Sequence, residues 1–406
     1  MEEWKEYKIG DVCKIKRGAS PRPIQQFLSN KGMPWVKIAD ATATDSMFLD
    51  STKEYIKEEG ISKSVTVMPG TLIVSNSATP GLPKVIRIKA CVHDGWLIIS
   101  DFKGVLRDFM YYKFVDIRRY LSNQANGSVF QNLKTDIVRE FSIKIPSLKT
   151  QEEIVSILKS LDDKIEVNRK INENLEQQAQ ALFKSWFVDF EPFKNGEFVE
   201  SEMGMIPKGW RVGTVNDVCC FESGFAFKST TYKQEGEYRL ITIKNVQDGY
   251  LDVNGSVCLD ELPAKMPQYC LLRIGDILLS LTGNVGRCCF VDEERLLLNQ
   301  RVAKLKPRIK NNWGYIYTLF RNPSFKDRVV SIARGTAQAN LSPIETSNMK
   351  IIIPIDKVLE DFSAIVDESY RIMINNKIES RRLAELRDTL LPKLMSGELK
   401  VNEIEI

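Results

Sequence analysis

The stretch WKEYKIGDV, from Trp4 to Val12, recurs in this chain as WRVGTVNDV, from Trp210 to Val218. Two further pairs of strings keep nearly the same spacing: PGTLIVS at 69–75 with IGDILLS at 274–280, and GSVFQNL at 127–133 with GTAQANL at 335–341. The separations of 206, 205 and 208 residues are far longer than the ~20–50 residues of a solenoid repeat. We therefore predict a duplicated domain, each copy followed by a long helix.

The bulk composition is that of an ordinary globular protein. The 406 residues suffice for two or three domains, and the net charge of +4 does not by itself indicate a nucleic-acid binder. The eight cysteines form no CxxC pattern, which favours reduced thiols and a cytoplasmic location. The start of the chain lacks an apolar signal core, and no apolar run approaches the ~20 residues of a membrane helix, so we expect no membrane partner.

The segment from Gln151 to Phe187 predicts a long amphipathic helix. Its apolar residues are spaced mostly three and four apart: Ile154, Ile157, Leu161, Ile165, Ile171, Leu175, Ala179, Leu182 and Trp186. Thr150 with Glu153 forms a candidate capping box at its start. At 1.5 Å per residue the segment would span roughly 55 Å.

A second long helix is predicted between Asp356 and Met395. Its apolar positions are Val358, Phe362, Ile365, Ile372, Leu383, Leu386, Leu390 and Leu394. Asp356 is the candidate cap, and Ser396-Gly397 the candidate stop. An isolated helix of this length is improbable, so we expect the two helices to pair antiparallel, with the repeats at opposite ends. Asn168 and Asn375 interrupt the seams, where they either fix the register or lie on the solvent-exposed edge.

Both halves read as strand-rich domains with a helical stretch, near 109–122 and near 315–332. The predicted fold class is α+β, with two tandem pseudo-symmetric domains separated by two long antiparallel helices. The boundaries follow the pattern changes along the chain: a first domain at 1–150, a central helix at 151–195, a second domain at 196–354 and a C-terminal helix at 355–406.

The search for catalytic chemistry finds little. His93 is the single histidine, which excludes a histidine metal cluster and favours a structural role. GNVGR (283–287) is either a phosphate-binding loop or, more readily, a hairpin tip. RNPSF (321–325) resembles the N-P-P-[YF] motif of amino-methyltransferases only faintly, and its Asn-Pro more readily ends a helix or makes a turn. We therefore expect no active site and no metal in this chain.

Polar and basic loops at matching places in both halves are the strongest candidates for a binding function. Arg and Lys can pair with guanine edges, Asn and Gln with adenine edges, and other polar groups with phosphates. The alternative is that these are ordinary solvated loops. The candidate DNA-binding residues are Lys16, Arg17, Ser20, Arg22, Lys37, Asn76, Ser77, Thr79, Lys84, Gln131 and Lys134 in the first half, and Lys228, Lys244, Asn245, Thr282, Asn284, Arg287, Arg334, Gln338 and Asn340 in the second.

The sequence as a whole resembles a known family, the specificity (S) subunits of type I restriction-modification systems. The densest match is the segment 151–193, QEEIVSILKSLDDKIEVNRKINENLEQQAQALFKSWFVDFEPF, which looks like the central conserved region of that family. GTAQANLS followed by IIIPI, and LLPKLMSGEL at 390–399, look like the end of the second recognition domain and the distal conserved helix. The resemblance covers essentially the full chain.

The resemblance implies a non-catalytic subunit. Two target-recognition domains would each read half of a bipartite sequence in double-stranded DNA, with the helix pair as a ruler for the unread spacer. Two modification subunits would dock on it and bring S-adenosylmethionine and adenine methylation. Two restriction subunits would add ATP-driven translocation and cleavage. S-adenosylmethionine, ATP and magnesium are thus expected on the partners and no cofactor on this chain.

Apolar residues at the helix ends are candidates for holding the modification subunits. They are Phe183, Trp186, Phe187, Phe190, Phe193, Leu390, Leu391 and Leu394. An equally good interpretation is that they fill the junction between helix and domain. Two other functions also remain open: a self-contained DNA methyltransferase or nuclease, and a coiled-coil adaptor with no role on DNA.

Overall fold

The computed structural model describes residues 4–44, 46–125, 132–333, 335 and 339–403. Its contacts divide the chain into two compact units, one of Met1–Glu166 with Arg382–Ile406, and one of Val167–Arg381. Each unit therefore contains one globular repeat and a part of both long helices. The sequence pattern did not predict that both helices would be shared in this way.

The first unit is a mixed α+β domain. One sheet joins, in spatial order, Lys14–Arg17, Trp96–Ser100, Leu72–Ser75, Pro83–Ile86 and Phe48–Leu49. A second sheet joins Leu28–Ser29, Glu54–Ile56, Met33–Val36, Ala90–Val92 and Val65–Val67. A separate antiparallel pair joins Lys5–Lys8 to Ser142–Ile145. The strand-rich character predicted for this half is confirmed.

The second unit repeats this topology with fewer strands. One sheet joins Cys219–Ser223, Val302–Pro307, Ile277–Ser280 and Cys288–Phe290 in the same spatial order as its counterpart. A second sheet joins Cys258–Leu259, Tyr238–Ile241 and Leu296–Leu298. Arg211–Thr214 pairs with Lys350–Ile353, and a hairpin joins Phe198–Ser201 to Gly204–Pro207. The duplication and the α+β class are thereby confirmed.

Both repeats also contain helices, most of them short. In the first repeat they are Ile9–Val12, Ile24–Gln26, Ile38–Thr42, Glu58–Ile61, Arg107–Ala125 and Thr135–Glu140. From the end of the central helix onward they are Glu191–Phe193, Val215–Val218, Ser229–Thr231, Gln268–Cys270, Trp313–Arg321, Pro323–Ser331, Pro343–Ser347 and Val401–Glu403. Both predicted helical stretches are present, the second one broken at Asn322-Pro323.

The central helix, Leu148–Phe187, begins two residues before the predicted cap. Ser147 is the N-cap, because its Oγ accepts a hydrogen bond from the Thr150 amide at 3.4 Å. Thr150 therefore lies inside the first turn, and its predicted capping role is wrong. The helix ends in a region where Phe190 adopts a left-handed conformation, with φ of 54°.

The distal helix, Asp356–Ser396, has Asp356 as its first helical residue, so the predicted cap position is wrong by one residue. In the first turn its carboxylate still lies favourably against the helix dipole. The stop at Ser396-Gly397 is confirmed: Gly397 has φ of 75°, and the Leu399 amide donates back to the Lys393 carbonyl at 3.1 Å.

Within the second unit the two long helices contact each other through polar groups. Asn168 is 1% exposed and donates to Glu379 Oε2 at 2.7 Å and to Ser380 Oγ at 3.2 Å. Asn172 accepts from Asn376 Nδ2 at 2.9 Å and donates to the Met373 carbonyl at 3.1 Å. Chain positions rise on one helix as they fall on the other, which is the expected antiparallel pairing.

The predicted seam is wrong in its middle. Ile171 is exposed while Asn168 is buried, and on the distal helix Ile365, Ile372 and Leu386 are exposed. Asn375 is exposed as well, so the register contact falls to its neighbour Asn376. The apolar pattern fails here because the two helices meet through amide and carboxylate groups. A prediction from apolar periodicity does not include such polar contacts.

The ends of the helices complete the two hydrophobic cores. In the first unit Ile154, Ile157 and Leu158 pack with Leu391, Leu394 and Met395 against the strands and the 107–125 helix. In the second unit Ala179, Phe183 and Phe187 pack with Leu359, Phe362 and Tyr370 against the equivalent sheet. Burial of these apolar faces is what stabilises helices of this length.

Candidate nucleic-acid interface

A turn with the same hydrogen bonds occurs in both sheets. In the hairpin of residues 72–86, Ser75 Oγ donates to the Thr79 carbonyl and accepts from the Leu82 amide. In the hairpin of residues 277–290, Ser280 Oγ donates to the Asn284 carbonyl and accepts from the Arg287 amide. Because a serine hydroxyl and backbone groups supply every bond, the side chains of the turn are left to vary. GNVGR is thus confirmed as a hairpin tip.

A second loop is fastened to each hairpin at the equivalent point. Ser77 and Asn132 form an isolated antiparallel β-bridge, and the Leu133 amide donates to the Asn76 carbonyl at 2.7 Å. In the second repeat Thr282 forms the bridge with Asn340, and the Leu341 amide donates to the Leu281 carbonyl at 2.7 Å. Two of the loops that the sequence matched between the halves therefore come together within each repeat.

A third loop that the sequence matches between the halves, 14–23 in the first and 220–229 in the second, packs on the same cluster through a glycine. Gly18 donates its amide to the Trp96 carbonyl at 2.8 Å, and Gly224 donates to the Val302 carbonyl at 3.1 Å. A Cβ on Gly18 would lie 2.2 Å from the His93 carbonyl oxygen, and one on Gly224 2.1 Å from that of Asn299. Only glycine permits this approach. Each resulting cluster is called here a loop junction: residues 17–22, 75–82, 93–95 and 132–134 form the first, and residues 223–228, 280–287, 299–301 and 339–341 the second.

Asp94 organises the polar side chains of the first loop junction. Its carbonyl accepts from Arg17 Nε at 2.7 Å and from Asn76 Nδ2 at 3.3 Å. Its carboxylate accepts from Ser20 Oγ at 2.5 Å and pairs with Arg22 at 3.2 Å. Partial burial raises the carboxyl pKa, but the Ser20 hydrogen bond and the Arg22 charge outweigh it, so the pKa of Asp94 lies below its ordinary value. Two arginines are thereby held at the surface in defined positions.

His93 stabilises the 93–95 turn from the side of the protein interior. Its Nδ1 accepts a hydrogen bond from the Gly95 amide at 2.7 Å, and its ring lies 6.0 Å from that of Trp35 and 6.5 Å from that of Trp96. Burial lowers the pKa of His93, which favours the neutral ring that this bond requires. The contacts are those of a structural residue, in agreement with the sequence interpretation.

The second loop junction is built with different side chains. Arg287 donates to Gln247 Oε1 and is half-buried beside its turn. The position equivalent to Asp94 is Gln300, an exposed residue whose amide donates to the Phe225 carbonyl at 3.0 Å. The second loop junction therefore presents the side-chain amide of Gln300 where the first presents the carboxylate of Asp94 paired with Arg22.

Several predicted binding residues have their polar groups committed inside the chain. Lys84 is 3% exposed and its Nζ donates to the carbonyls of Thr44 and Ser46, so it is unsuited to a contact with a duplex. Asn245 is buried and bonds Thr242, Asp252 and Ser256. Asn76 and Thr282 are also buried, and they act as backbone anchors of the loop junctions.

Other predicted residues lie on the surface. Lys16, Arg17, Arg22, Lys134, Lys228, Lys244, Asn284 and Asn340 are exposed. Ser20, Ser77 and Thr79 are half-buried in the first loop junction. Lys37 is engaged with Glu54 at 2.7 Å. Gln131, Arg334 and Gln338 lie outside the described residues.

Sequence reasoning missed Asp94 and Gln247, which position Arg17, Arg22 and Arg287. Asp94 was passed over because only basic, amide and hydroxyl residues were taken as candidates. The available signal was the string HDG at 93–95, a turn sequence placed between two apolar strands.

The predicted partner-binding residues serve the hydrophobic cores. Phe183, Phe187, Leu391 and Leu394 are at most 9% exposed, so they are not available to a partner. Trp186, Phe190 and Phe193 are partly buried, and Phe190 and Phe193 lie against Trp210 at 5.5 and 5.0 Å between ring centroids. Leu390 packs on the edge of the first core. For the four buried residues the alternative interpretation, filling the junction of helix and domain, is the correct one.

The weak catalytic motif also has a structural explanation. Asn322 Oδ1 accepts from the Phe325 amide at 3.3 Å and caps the helix Pro323–Ser331, so RNPSF marks a helix boundary as predicted. Across the described residues, no group of three His, Cys, Asp or Glu side chains is placed to hold a metal ion. The eight cysteines, all within the described ranges, are free thiols. In the same part of the chain no helix is both long and apolar enough to cross a membrane.

A duplicated α+β domain with matched polar loop junctions, joined by two long helices, defines the class of two-domain DNA-recognition subunits. A model of the type I restriction modification DNA specificity domain matches residues 1–177 and again 207–382, and the chain belongs to this family.

Known relatives agree along nearly the whole chain. The type I restriction enzyme MjaIX specificity subunit of Methanocaldococcus jannaschii is 29% identical over 99% of this chain and 95% of its own length. The HindI specificity subunit of Haemophilus influenzae is 24% identical over 98% of this chain and 100% of its own. The crystal structure of an S subunit from M. genitalium covers 97% of this chain and 96% of its own with a TM-score of 0.56 at 16% identity, which supports the fold.

Proposed function

We propose that this chain is the DNA-reading subunit of a type I restriction-modification complex, with one loop junction for each half of a bipartite target. The observation that carries the proposal is the loop junction itself, built twice from the same backbone bonds and finished with different side chains. A common scaffold with variable side chains is what two readers of different sequences require.

The exposed and half-buried side chains of each loop junction suit contacts with a duplex. Arginine pairs with guanine through two hydrogen bonds, and asparagine or glutamine pairs with adenine. In the first junction Arg17 and Arg22 are the proposed base or phosphate contacts, with Lys16 and Lys134 beside them. In the second, Asn284, Arg287 and Asn340 are the proposed contacts, with Lys228 on the adjoining loop. Lysines supply the salt-dependent part of the affinity.

The chemistry is proposed to lie on partner subunits. Residues 1–150 and 196–354 would read the DNA, while the helix pair would set the unread spacer and receive two modification subunits. Those subunits would supply S-adenosylmethionine and transfer the methyl group to adenine. Two restriction subunits would add ATP- and magnesium-dependent translocation and cleavage. No catalytic group is assigned to this chain.

Single-molecule methylation sequencing tests the proposal. Cells expressing this chain with its modification subunit should acquire methylated adenine at a split motif that is unmethylated in cells lacking this chain. Exchanging residues 76–82 should then alter one half of the motif only. Methylation by the purified chain alone, or alteration of both halves by the exchange, would refute the proposal. Calorimetry of S-adenosylmethionine with the isolated chain separates it from a self-contained methyltransferase.

A further inference from the structure

The two hairpins end in residues of opposite charge at the same backbone position. In the first, the Ile86 carbonyl accepts the Gly70 amide at 2.7 Å, and Arg87 follows. In the second, the Val291 carbonyl accepts the Gly275 amide at 2.8 Å, and Asp292 follows. The duplication therefore places Arg87 and Asp292 at equivalent points of the two repeats.

Arg87 joins its repeat to the central helix. Its guanidinium lies 3.5 Å from Glu166 Oε1 and 3.7 Å from Asp50 Oδ1, and stacks on the Phe48 ring with 3.3 Å to the centroid. The Glu166 side chain is only 8% exposed. A carboxylate with so little access to water depends on the positive charges of its neighbours.

Asp292 joins the second repeat to the distal helix with the signs reversed. Arg381 reaches its carboxylate at 2.8 Å and its carbonyl at 3.0 Å, and also lies 3.2 Å from Glu293. The Asp292 side chain is 4% exposed. One turn earlier on the same helix, Lys377 donates to the Gly249 carbonyl of this repeat. The distal helix thus offers positive charge where the central helix offers a buried carboxylate.

We propose that these two ion pairs fix the orientation of each reading domain against the helix segment that it contacts. Separating either pair would leave a sheltered carboxylate without its cation, so rotation of the domain away from the helix is resisted. Arg87, Glu166, Asp292 and Arg381 are then positioning residues for the two half-sites, a role that rests on the proposed function.

Hydrogen exchange of the full-length chain tests these two ion pairs without DNA. Arg381→Glu should speed exchange of the strand Cys288–Phe290 by about tenfold and leave Pro83–Ile86 unchanged. Adding Asp292→Arg should restore part of the protection, because the pair is rebuilt with its signs exchanged while Glu293 still faces the new carboxylate. Arg371→Glu is the matched control: it breaks an exposed pair with Glu368 on the same helix and should change neither strand.

The equivalent variants in the first repeat should loosen the first repeat and leave the second unchanged. Glu166→Arg should speed exchange at Pro83–Ile86 only, and Arg87→Glu added to it should reverse the effect, with Lys159→Glu as the control on the same helix. If a double reversal restores no protection, or if the single variants exchange like the wild type, the positioning role of these ion pairs is refuted. Wild-type methylation of a split motif scores the reading function separately. Given that motif, each single variant should weaken the half read by its own domain.

Discussion

The two loop junctions share a backbone and differ in almost every side chain that reaches the surface. Gly18 and Gly224 make the same close approach, and Ser75 and Ser280 brace the same turn. Yet Arg17 and Ser20, which bond to Asp94, have Ser223 and Ala226 as their counterparts. The scaffold depends on a few residues whose hydrogen bonds or lack of a Cβ cannot be replaced.

This difference explains how one fold can carry two specificities. The bonds that shape each junction come from main-chain groups and a serine hydroxyl, so exposed positions can change without loss of the turn. The second junction uses Gln247 rather than an acid to hold its arginine. Orientation of an arginine by a neighbour is thus a recurring requirement, met differently on the two sides.

The largest effect is expected from the glycines that the junctions share. Gly18→Ala and Gly224→Ala place a Cβ within 2.2 Å and 2.1 Å of a carbonyl oxygen, and each should destabilise its own repeat by about 1–3 kcal/mol through overpacking. Hydrogen exchange resolved by repeat measures this. Gly10→Ala, where the new Cβ would lie 3.2 Å from the Arg139 carbonyl oxygen, is the milder control. Equal loosening of both repeats by one variant would contradict the independence of the junctions.

Arg287→Ala should weaken binding to one half-site without affecting the other. A bidentate arginine–guanine contact is worth about 1–3 kcal/mol of discrimination, and the fork held by Gln247 is suited to it. Arg287→Lys keeps the charge but loses the fork, so it should relax sequence preference more than affinity. Binding to duplexes altered in one half at a time measures this. Arg273→Ala, in the same repeat but outside the loop junction, should behave as the wild type.

Asp94→Asn tests the acid that the second junction lacks. Arg17 and Asn76 keep their bonds to the backbone carbonyl, while Ser20 and Arg22 lose the carboxylate. Because the pair is exposed, stability should fall by less than about 1 kcal/mol, but preference at the first half-site should relax. Since the pKa of Asp94 is lowered, its contribution is present above the ordinary carboxyl range and lost as the pH falls through the native value. Relaxed preference at the second half-site would contradict the placement of Asp94 in the reader of the first half-site.

Much of the fold was predictable because repeated strings and helical periodicity reflect local rules. The duplicated strands, the α+β class and the helix stop at Gly397 follow from pattern alone. Asn168 at the helix contact was predicted as one of two alternatives, and the structure confirms that it fixes the register. The burial of Lys84 was not predicted, because it depends on a partner far along the chain, the Thr44 carbonyl. Propensity and periodicity do not register such contacts.

The candidate site was predicted in outline rather than in residues. Matching loops indicated the right regions, since shared landmarks mark a shared backbone. Which side chain reaches the surface depends on how loops pack together. Asn245 and Arg17 look alike as binding candidates in sequence, yet one is fully used by its own loop and the other lies at the surface.

The smallest expected effect is a pH dependence confined to the first repeat. Burial lowers the pKa of His93, with opposing influences from Asp94 and Asp40 and a further lowering by Lys37. The neutral ring is the native form, so its contribution is present above the ordinary pKa of 6.5 and is lost as the pH falls through the lower native value. The Gly95 amide then loses its acceptor.

The second repeat has Asn299 at this position and should show no such change. Hydrogen exchange at Trp96–Ser100 between pH 7 and pH 5, corrected for intrinsic rates, should therefore rise relative to Val302–Pro307. His93→Asn should abolish the difference, and a difference that persists in this variant would place the titrating group elsewhere.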